Sequence, residues 1–528
     1  MFAKVMSAGL MGIEGYPVEV ETNAVNGIPG ISIVGALSNE TRESLFRVSN
    51  ALKNLKVKDE PKKITVNLSP ADRRKNGTAY DLAIAVSVLA SNGAYGEGFR
   101  EKLTRFAFFG ELGLDGSLKP VKGILPLSFT IKKSGITEII VPYENACEAI
   151  LVGGLRVWGC RSLKACIDII NGVENEDAVL FEGTGGDEAG AVDYGMDFSD
   201  VHGQEYLKRA AFIAVAGRHN ILFSGPAGTG KTMIARRMTT IMPDLTRLED
   251  IEVSKIYSIC GLLPQGRALF TKRPFRQPHH GITQAAFAGG GADVMPGEIS
   301  LASSGILFLD ELPLFPRDVL ETLRQPMEEK KITVSRMKGS YTYPADFQLV
   351  AAMNNCACGY YPDKKKCTCS PAQVKAYVGR LSKPLLERID ICAEARPLSF
   401  EEFVHGGSDR ENRETSEDIK RKVIRAFEIQ AERFRDEENI LFNSGMRINE
   451  IEKYCVLGKA EEALMKGIFE KKELSGRTYH KILKVARTIA DTCESKKIEK
   501  EHLLEAVELR SIEDKLFKKK GGAYHEVQ

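Results

Sequence analysis

The sequence predicts a multidomain α/β protein. Its 528 residues are more than one domain usually holds, since domains of ~100–200 residues are typical. An acidic, glycine-rich stretch with little periodicity interrupts the chain at residues 171–197. Beyond it, short apolar segments alternate with helical patterns up to residue 397, which indicates a parallel sheet packed against helices. From residue 398 onward the apolar residues have the spacing of amphipathic helices.

These patterns divide the chain into five segments. The first has α+β texture, because residues 62–68 alternate like a strand and residues 79–91 have helical spacing. The five segments are an N-terminal α+β domain (1–170), an acidic linker (171–197), an α/β core (198–397), a helical C-terminal domain (398–515) and a tail (516–528).

The composition is that of an ordinary soluble globular protein, with 43% hydrophobic and 27% charged residues. The formal net charge of +2 means that any basic surface for nucleic acid must be local. The N-terminus lacks the apolar core and cleavage site of a signal peptide. No apolar run reaches the ~18 residues that a membrane span needs. We therefore expect a cytoplasmic protein without membrane contact.

The clearest functional motif is a phosphate-binding loop between residues 225 and 232. A short apolar strand pattern precedes it and a helical pattern follows, which is the context that such a loop requires. Its glycines let backbone N–H groups surround phosphate oxygens, and the following helix adds its positive N-terminal dipole. Lys231 would reach the β- and γ-phosphates, and the Thr232 hydroxyl would ligate Mg²⁺. We expect ATP to bind Gly225, Pro226, Ala227, Gly228, Thr229, Gly230, Lys231 and Thr232.

Two acidic residues follow the apolar pattern from Ile306 to Leu309. Asp310 and Glu311 stand at its C-terminal end, where open α/β sheets bind ligands. We predict that Asp310 holds Mg²⁺, mostly through water, and that Glu311 polarises the attacking water as general base. Such a pair alone could be a surface feature, but the phosphate loop upstream favours the catalytic interpretation.

Two further polar residues lie next to apolar patterns. Asn354 follows the strand pattern LVAAM and could position the lytic water against the γ-phosphate. Arg388 comes just before another strand pattern, and an arginine supplied by a neighbouring subunit can stabilise transition-state charge. From its spacing alone, Arg388 could equally form a surface ion pair.

Several longer segments resemble one protein family. They are DVHGQEYLKRA (200–210), PFRQPHHGITQAAFAGGG (274–291), PGEISLASSGILFLDELPLF (296–315), LRQPMEE (323–329), LVAAMNNCACGYY (349–361), LLERIDI (385–391) and SGRTYHKILKVARTIADT (475–492). Together with the phosphate loop they are similar to the AAA+ superfamily, and within it to the Mg-chelatase-like ATPases of the ComM/YifB family.

This resemblance implies an ATPase core with a P-loop and a C-terminal helical lid. It makes Asn354 sensor 1, Arg388 the arginine finger and Arg477 sensor 2, with Arg487 as the alternative for the last role. Because a finger acts on a neighbour's nucleotide, the resemblance also implies a homo-oligomeric ring, expected to be a hexamer. ATP and Mg²⁺ are the implied cofactors.

The N-terminal domain resembles the proteolytic domain of Lon proteases. The resemblance is carried by PADRRKNGTAYDLAIAVSVLAS and GELGLDGSLKPVKGILPLS. A Lon-type site needs a serine nucleophile activated by a lysine. Alignment puts Ala79 at the serine position and Leu127 at the lysine position, so we expect the fold without the protease. The basic run at residues 73–75 could contact a phosphate backbone or form a solvated loop.

A hairpin is predicted between Asp310 and Asn354, because residues 332–334 and 341–343 alternate on either side of Lys338-Gly339-Ser340. In related AAA+ helicases such a hairpin points into the central pore, where Lys338 and the nearby Arg336 would contact DNA phosphates. The resemblance thus implies a single-stranded or branched DNA partner, with helicase or branch-migration activity in recombination or natural transformation. The alternative is a chelatase-like ATPase that remodels a protein partner without DNA.

Four of the eleven cysteines form two C-x-C pairs with eight residues between them, namely Cys356, Cys358, Cys367 and Cys369. Four thiolates make a closed tetrahedral zinc site, although C-x-C is tighter than the usual spacing. The pattern allows structural Zn²⁺, a reduced thiol cluster or a redox switch. We expect the cluster to fix the connection between Asn354 and Arg388, so that its loss affects assembly more than nucleotide binding. The adjacent His279 and His280 do not have the spacing of paired ligands on a helix, and we predict no metal there.

Overall fold

The described part of the protein contains two large sheets, three two-stranded sheets and a set of C-terminal helices. The computed structural model describes residues 1–55, 62–182, 194–263, 272–291, 294–336, 339–363, 365–397, 413–437 and 440–510. Among these residues no helix combines the length and the apolar composition that crossing a bilayer requires.

The N-terminal domain is built on one mixed sheet. Its elements are β1 Phe2–Met11, β2 Glu14–Asn26, β3 Gly30–Val34, α1 Asn39–Asn54, β4 Lys62–Ser69, α2 Asp81–Asn92, α3 Glu97–Leu103, β5 Phe106–Phe108, β6 Glu111–Leu112, β7 Leu118–Lys119, α4 Ile124–Lys133, β8 Glu138–Pro142, α5 Ala146–Ala149, β9 Arg156–Cys160, α6 Leu163–Asn171 and β10 Ala178–Phe181. The sheet has eight strands in the order β10-β9-β8-β5-β1-β2-β4-β3, and β6 pairs separately with β7. The apolar helix α2 packs on β1 and β2 and is buried from Asp81 to Ser91.

Strand β10 lies inside the stretch predicted as an acidic linker, which corrects that prediction. Residues Ala178–Phe181 pair antiparallel with β9 and extend the sheet. The acidic and glycine-rich neighbours of this short apolar run dominate the local composition. The composition therefore did not indicate this strand, which is stabilised by pairing with β9.

The α/β core follows. Its elements are α7 Glu205–Gly217, β11 Ile221–Ser224, α8 Lys231–Arg237, α9 Arg247–Cys260, β12 Phe275–Arg276, α10 Gln284–Ala288, β13 Gly289–Gly290, β14 Met295–Pro296, α11 Glu298–Leu301, β15 Ile306–Leu309, α12 Arg317–Glu321, α13 Pro326–Glu329, β16 Lys331–Arg336, β17 Gly339–Pro344, β18 Gln348–Met353, α14 Pro371–Val378, α15 Lys383–Leu386 and β19 Ile391–Glu394.

Five of these strands form the predicted parallel sheet, in the order β12-β15-β18-β11-β19. All four pairings are parallel. Every residue of β11, β15 and β18 is buried, as expected of strands covered by helices on both faces. Strand β11 lies between β18 and β19, so strands that follow it in the chain lie on both of its sides. The C-terminal end of β11 is therefore a topological switch point of the sheet. Open α/β sheets bind ligands at such a point.

The C-terminal region is helical, with α16 Ser416–Arg433, α17 Ile448–Tyr454, α18 Lys459–Lys472, α19 Gly476–Thr492 and α20 Lys500–Glu508. Buried residues of α16 and α19 share one hydrophobic cluster with α7 and β11. One face of α19, which includes Ile482, Val485 and Ile489, is buried. His219 and Thr488 add a buried hydrogen bond of 2.8 Å between the core and α19.

The N-terminal domain contacts the core through α4 and α9. The Gly123 N–H donates to the Ser258 carbonyl over 3.1 Å, and the Lys255 ammonium lies 4.7 Å from the centre of the Phe129 ring. Glu148 accepts from the Leu125 N–H over 2.8 Å and from the Ser258 hydroxyl. Burial raises the pKa of Glu148, so the interface holds a carboxyl group largely shielded from water.

Candidate nucleotide-binding site

The phosphate loop connects β11 to α8 with a backbone that requires glycine. Gly225, Gly228 and Gly230 have φ values of 141°, 77° and 85°. At Gly225 a Cβ would also lie 2.5 Å from the Ala395 carbonyl oxygen, so no larger residue fits beside β19. Helix α8 begins immediately at Lys231. The backbone N–H groups of its first turn therefore lie beside the cavity described below.

Lys231 is buried and held by oxygen atoms. Its Nζ donates to the carbonyls of Gly225 (2.9 Å) and Pro226 (2.7 Å) and to Asn354 Oδ1 (3.2 Å). Burial lowers the pKa of Lys231 to about 8, although the Asp310 carboxylate opposes the shift. The contact with Asn354 brings the end of β18 to the phosphate loop, although the two residues are 123 positions apart.

The two acidic residues predicted after β15 have different environments. Thr232 Oγ1 donates to Asp310 Oδ2 over 2.8 Å, so the predicted magnesium ligands are adjacent. The Glu311 N–H donates to Asp310 Oδ1 over 3.0 Å. Glu311 has a left-handed backbone with φ 52°, which costs ~1–3 kcal/mol for a residue other than glycine. Its carboxylate is half exposed, and it borders the cavity.

These residues surround one open cavity of about 670 Å³. This volume is within the range of ~300–1,000 Å³ that is usual for small-molecule sites. The cavity is lined by Ala227, Gly228, Thr229, Gly230, Lys231, Thr232, Met233, Arg236, Gln277, Pro278, His279, His280, Asp310, Glu311 and Asn354. The cavity thus brings together the side chains predicted to bind phosphate, to hold Mg²⁺, to act as general base and to position the lytic water, namely Lys231, Asp310, Glu311 and Asn354.

The sequence did not predict Arg236, Gln277, His279 and His280 as cavity residues. Arg236 donates to Gln277 Oε1 over 3.0 Å, and the two histidine rings lie 4.0 Å apart between centres. His280 Nδ1 is 3.8 Å from Glu311 Oε2, which places an imidazole beside the predicted base. The signal for these residues in the sequence is the polar run FRQPHHG, which is quoted above within the segment 274–291.

The two predicted arginines lie elsewhere. Arg388 donates to the Pro384 carbonyl over 2.8 Å and pairs with Glu328 over 2.6 Å. Arg477, largely exposed, pairs with Glu387 over 3.0 Å. Neither is among the described residues that line the cavity. Arg388 of the core and Arg477 of α19 thus lie together at a region separate from the chain's own cavity, which we call the arginine surface.

Arg487, the alternative for the sensor 2 role, is used inside the C-terminal region. Its Nε donates to Asp491 Oδ1 over 3.1 Å, and Nη1 donates to the Lys496 carbonyl over 3.0 Å. The side chain is buried. These bonds cap the end of α19, so Arg487 is not available to a nucleotide.

The predicted hairpin is present as β16 and β17. Arg336 pairs with Gly339 and Ser335 pairs with Ser340, so Gly339 and Ser340, which were predicted to lie at the tip, belong to strand β17. Lys338 lies outside the described residues. The inner residues Ile332, Val334 and Tyr343 are buried in the core, which anchors the base of the hairpin.

The sulfur atoms of the four clustered cysteines lie close together. The Cys356 and Cys358 sulfurs are 3.3 Å apart, and Cys367 Sγ lies 3.8 Å from the first and 3.5 Å from the second. With Cys369, all four sulfurs lie within 4.8 Å of one another. Burial raises the pKa of nearby Tyr377 to about 12, and Glu311 and Cys356 act in the same direction. Helix α14 therefore places this phenol near both the predicted base and the cluster.

The positions aligned with a Lon-type dyad are apolar in the structure as well. Leu127 is buried in a hydrophobic cluster against which Ala79 packs. The basic run at residues 73–75 is only partly a solvated loop. Lys75 is buried, and its ammonium donates to the Arg73 carbonyl over 2.9 Å and to the Pro70 carbonyl.

The parallel sheet, the phosphate loop and the acidic strand end fit a P-loop fold of the AAA+ type. Three family descriptions match the chain: "Magnesium chelatase, subunit ChlI" at residues 197–403, "Subunit ChlI of Mg-chelatase" at 20–145, and "Magnesium chelatase, subunit ChlI C-terminal" at 413–510.

Full-length relatives refine this class. Competence protein ComM of Haemophilus influenzae is 40% identical over 522 residues, with 97% of each chain covered. The protein YifB of Escherichia coli is 38% identical, covering 96% of this chain and 97% of its own. YifB of Salmonella typhimurium is 37% identical, with 97% of both chains covered. The chain belongs to the ComM/YifB family of Mg-chelatase-like proteins, which confirms the resemblance noted from its motifs.

Proposed function

We propose that this protein is an ATP-driven ring motor that acts on single-stranded or branched DNA. The observation that carries the ATPase part is the convergence of Lys231, Thr232, Asp310, Glu311 and Asn354 on one cavity. The family supplies the same expectation independently, since its members are Mg-chelatase-like AAA+ proteins.

The side chains present fit ATP with Mg²⁺. A hydroxyl and a carboxylate 2.8 Å apart offer the hard oxygen ligands that Mg²⁺ prefers, so Thr232 and Asp310 would hold it. When bound, Mg²⁺ neutralises charge that develops on the phosphate oxygens. Lys231 would exchange its carbonyl partners for the β- and γ-phosphates. An anion there favours the ammonium form and counteracts the lowered pKa.

Hydrolysis then needs an oriented water. Glu311, half exposed at the cavity edge, would accept a proton from this water as its oxygen bonds to the γ-phosphorus and ADP departs. Asn354 would orient the same water, because its side-chain oxygen already lies 3.2 Å from Lys231 Nζ. His280 Nδ1 lies 3.8 Å from Glu311 Oε2, so a protonated imidazole would stabilise the carboxylate.

The position of the arginines supports an oligomer. Arg388 lies outside the chain's own cavity, so as an arginine finger it would act on the nucleotide of the next subunit in the ring. Arg477, which is also outside the cavity, would serve as sensor 2 from the helical lid. Closed rings of identical subunits result when such a head-to-tail interface repeats. We propose a hexamer with a helical lid formed by the C-terminal region.

The DNA part of the proposal depends on the hairpin and on the family. The base of the β16–β17 hairpin is anchored in the core, and the tip sequence contains basic residues suited to phosphates. ComM of Haemophilus influenzae is named a competence protein, and DNA remodelling during transformation or recombination suits that name. The second candidate is remodelling of a protein partner, which the chelatase family descriptions favour.

The test is the ATPase rate with and without forked DNA at low salt. We expect DNA to stimulate hydrolysis and Lys338→Ala to abolish the stimulation while basal hydrolysis remains. Lys331→Ala, at the exposed base of the same hairpin, is the matched control and should respond to DNA normally. Absence of both stimulation and binding would exclude the DNA motor and favour a protein partner.

A further inference from the structure

We infer that Cys356, Cys358, Cys367 and Cys369 bind one Zn²⁺, and that this metal fixes the phosphate loop of the same chain. The first half stands on the cysteine geometry alone. The second half rests on the proposed nucleotide site, because it concerns how that site is held in shape.

The sulfur positions match a zinc tetrathiolate. Zn–S bonds of ~2.3 Å in a tetrahedron give sulfur–sulfur edges of ~3.8 Å. The sulfur–sulfur distances among Cys356, Cys358 and Cys367 are 3.3, 3.5 and 3.8 Å, and Cys369 Sγ lies within 4.8 Å of these three atoms. All four cysteines are free, and these separations exceed the ~2.05 Å of a disulfide bond. Four thiolates fill the coordination sphere, so the metal would be structural.

The surrounding backbone supports bound thiolates. The Tyr361 N–H donates to Cys356 Sγ over 3.3 Å, and such donors stabilise and orient ligands of a metal. Cys356 is buried, while the other three cysteines are half-buried. The metal would therefore be shielded on the side that faces the core and partly accessible on the other.

One residue of the cysteine loop touches the phosphate loop directly. The Ala227 N–H donates to the Gly359 carbonyl over 3.0 Å. Gly359 has φ 82°, and a Cβ on it would lie 3.2 Å from Ala227 Cβ, so the two loops are in close contact. Gly359 follows the ligand Cys358, which means that the metal would fix the position of its carbonyl.

A second connection runs through the predicted sensor. Asn354 precedes the ligand Cys356 by two positions, and its Oδ1 accepts from Lys231 Nζ over 3.2 Å. The cluster thus holds the cavity wall at two points, Ala227 and Lys231. Without the metal, residues 356–369 lose their crosslink, and ordering them would cost conformational entropy each time nucleotide binds.

This arrangement changes the expectation drawn from the sequence. The spacing along the chain suggested an effect mainly on assembly, because the cluster lies between Asn354 and Arg388. Contact with Ala227 instead predicts weaker nucleotide binding by a single chain.

The metal is tested first on the full-length protein purified without chelators. Elemental analysis should find about one zinc per chain, and replacement by Co²⁺ should give the visible spectrum of a tetrahedral cobalt thiolate. The double variant Cys367→Ser/Cys369→Ser should lose both signals. The control Cys493→Ser, an exposed cysteine outside the cluster, should keep them. Absence of zinc together with absence of the cobalt spectrum would overturn the site.

The effect on the loop is tested by titrating a fluorescent ATP analogue with Mg²⁺. The double cysteine variant should bind roughly 3- to 10-fold more weakly than the zinc-loaded protein, the effect of about one lost hydrogen bond. Circular dichroism confirms that the variant is folded.

Gly359→Ala tests the contact without removing a ligand. It should keep zinc and also weaken binding, whereas Gly135→Ala, at the same φ of 82° with nothing within 4 Å, should not. Equal affinity of zinc-loaded and zinc-free chains for the nucleotide would overturn the inference that the metal fixes the phosphate loop. Failure of the zinc-loaded wild type to bind nucleotide would overturn both the proposed function and that inference. The zinc site itself is tested by the metal analysis alone.

Discussion

The cavity wall and the arginine surface differ in how their charged groups are held. In the cavity, Lys231 is surrounded by neutral carbonyl and amide oxygens. On the arginine surface, Arg388 and Arg477 each pair with a carboxylate of their own chain, Glu328 and Glu387. The cavity is thus prepared for a phosphate within one chain. If Arg388 acts on a neighbouring subunit's nucleotide, as proposed above, it must first leave Glu328.

The largest effect on ATP turnover is expected if Arg388 acts on the nucleotide of a neighbouring chain. Arg388→Ala should lower ATP turnover by about 10³- to 10⁵-fold, as loss of an arginine finger does. Arg380→Ala, an exposed arginine on the preceding segment, should leave turnover unchanged. Steady-state phosphate release measures both.

Mixing two inactive variants distinguishes action within a chain from action between chains. Arg388→Ala chains carry an intact Glu311, and Glu311→Gln chains carry an intact Arg388. Mixed rings should therefore regain activity at interfaces that join the two intact residues. A mixture that stays inactive although it assembles would mean that Arg388 acts on the nucleotide of its own chain. The arginine surface would then act within one chain, as the cavity does.

The cavity side of the comparison is tested by Glu311→Gln alone. Loss of a general base should reduce turnover by about 10²- to 10⁴-fold. Nucleotide affinity should be retained, because Glu311 borders the cavity without contacting Lys231 or Thr232 in the bonds described above. Asp318→Asn, an exposed carboxylate on α12, is the control. Single-turnover hydrolysis and equilibrium binding give the two numbers, and persistent turnover would assign the base to another residue.

Asp390 connects the arginine surface to the C-terminal helices. It lies two residues after Arg388 and is 3.1 Å from Lys481 Nζ and 3.5 Å from His219 Nδ1. Burial alone would raise the pKa of Asp390, but Lys481 and His219 hold it well below its usual range. Asp390→Asn leaves Lys481 without its counter-charge and should reduce the free energy of unfolding by about 3–5 kcal/mol.

The pH dependence of this loss has a defined sign. Because the folded pKa of Asp390 is depressed below the unfolded value of ~3.9, its stabilisation is complete above about pH 5 and shrinks on acidification. The difference in denaturation midpoint between wild type and Asp390→Asn should therefore narrow as the pH falls from 7 to 3. Glu452→Gln, an exposed carboxylate, should show no such difference at any pH. A difference independent of pH would indicate that Asp390 acts through shape alone.

The sequence predicted the parts of the site that consecutive residues define. Gly225 to Thr232 and Ile306 to Glu311 each carry a strand, a loop and the reactive groups in one short run, so their geometry follows from local structure. Asn354 was found for the same reason.

The remaining features depend on contacts between distant residues. The Ala227 N–H bonds to the Gly359 carbonyl from 132 positions away, and His280 reaches Glu311 only because β12 pairs with β15. Lys75 is likewise held by a distant segment, because its N–H donates to the Ala36 carbonyl over 2.8 Å and its carbonyl accepts from the Ser38 N–H over 2.9 Å. No periodicity or spacing in a single sequence reports such contacts, since they depend on how the folded elements are arranged.

The smallest predicted effect concerns the Arg388–Glu328 pair itself. The Arg388 side chain is mostly buried and Glu328 is 59% exposed, and pairs open to water contribute about 0.2–1 kcal/mol. If Arg388 must leave Glu328 to reach a neighbour's phosphate, Glu328→Gln should raise ATP turnover at limiting protein concentration by up to about fivefold. Glu329→Gln is the matched control, because Glu329 accepts instead from Gln325 Nε2. Turnover measured against protein concentration separates the two outcomes. A fall in activity with Glu328→Gln alone would mean that the carboxylate holds Arg388 in its working position, so that the finger, like the cavity, is prepared within one chain.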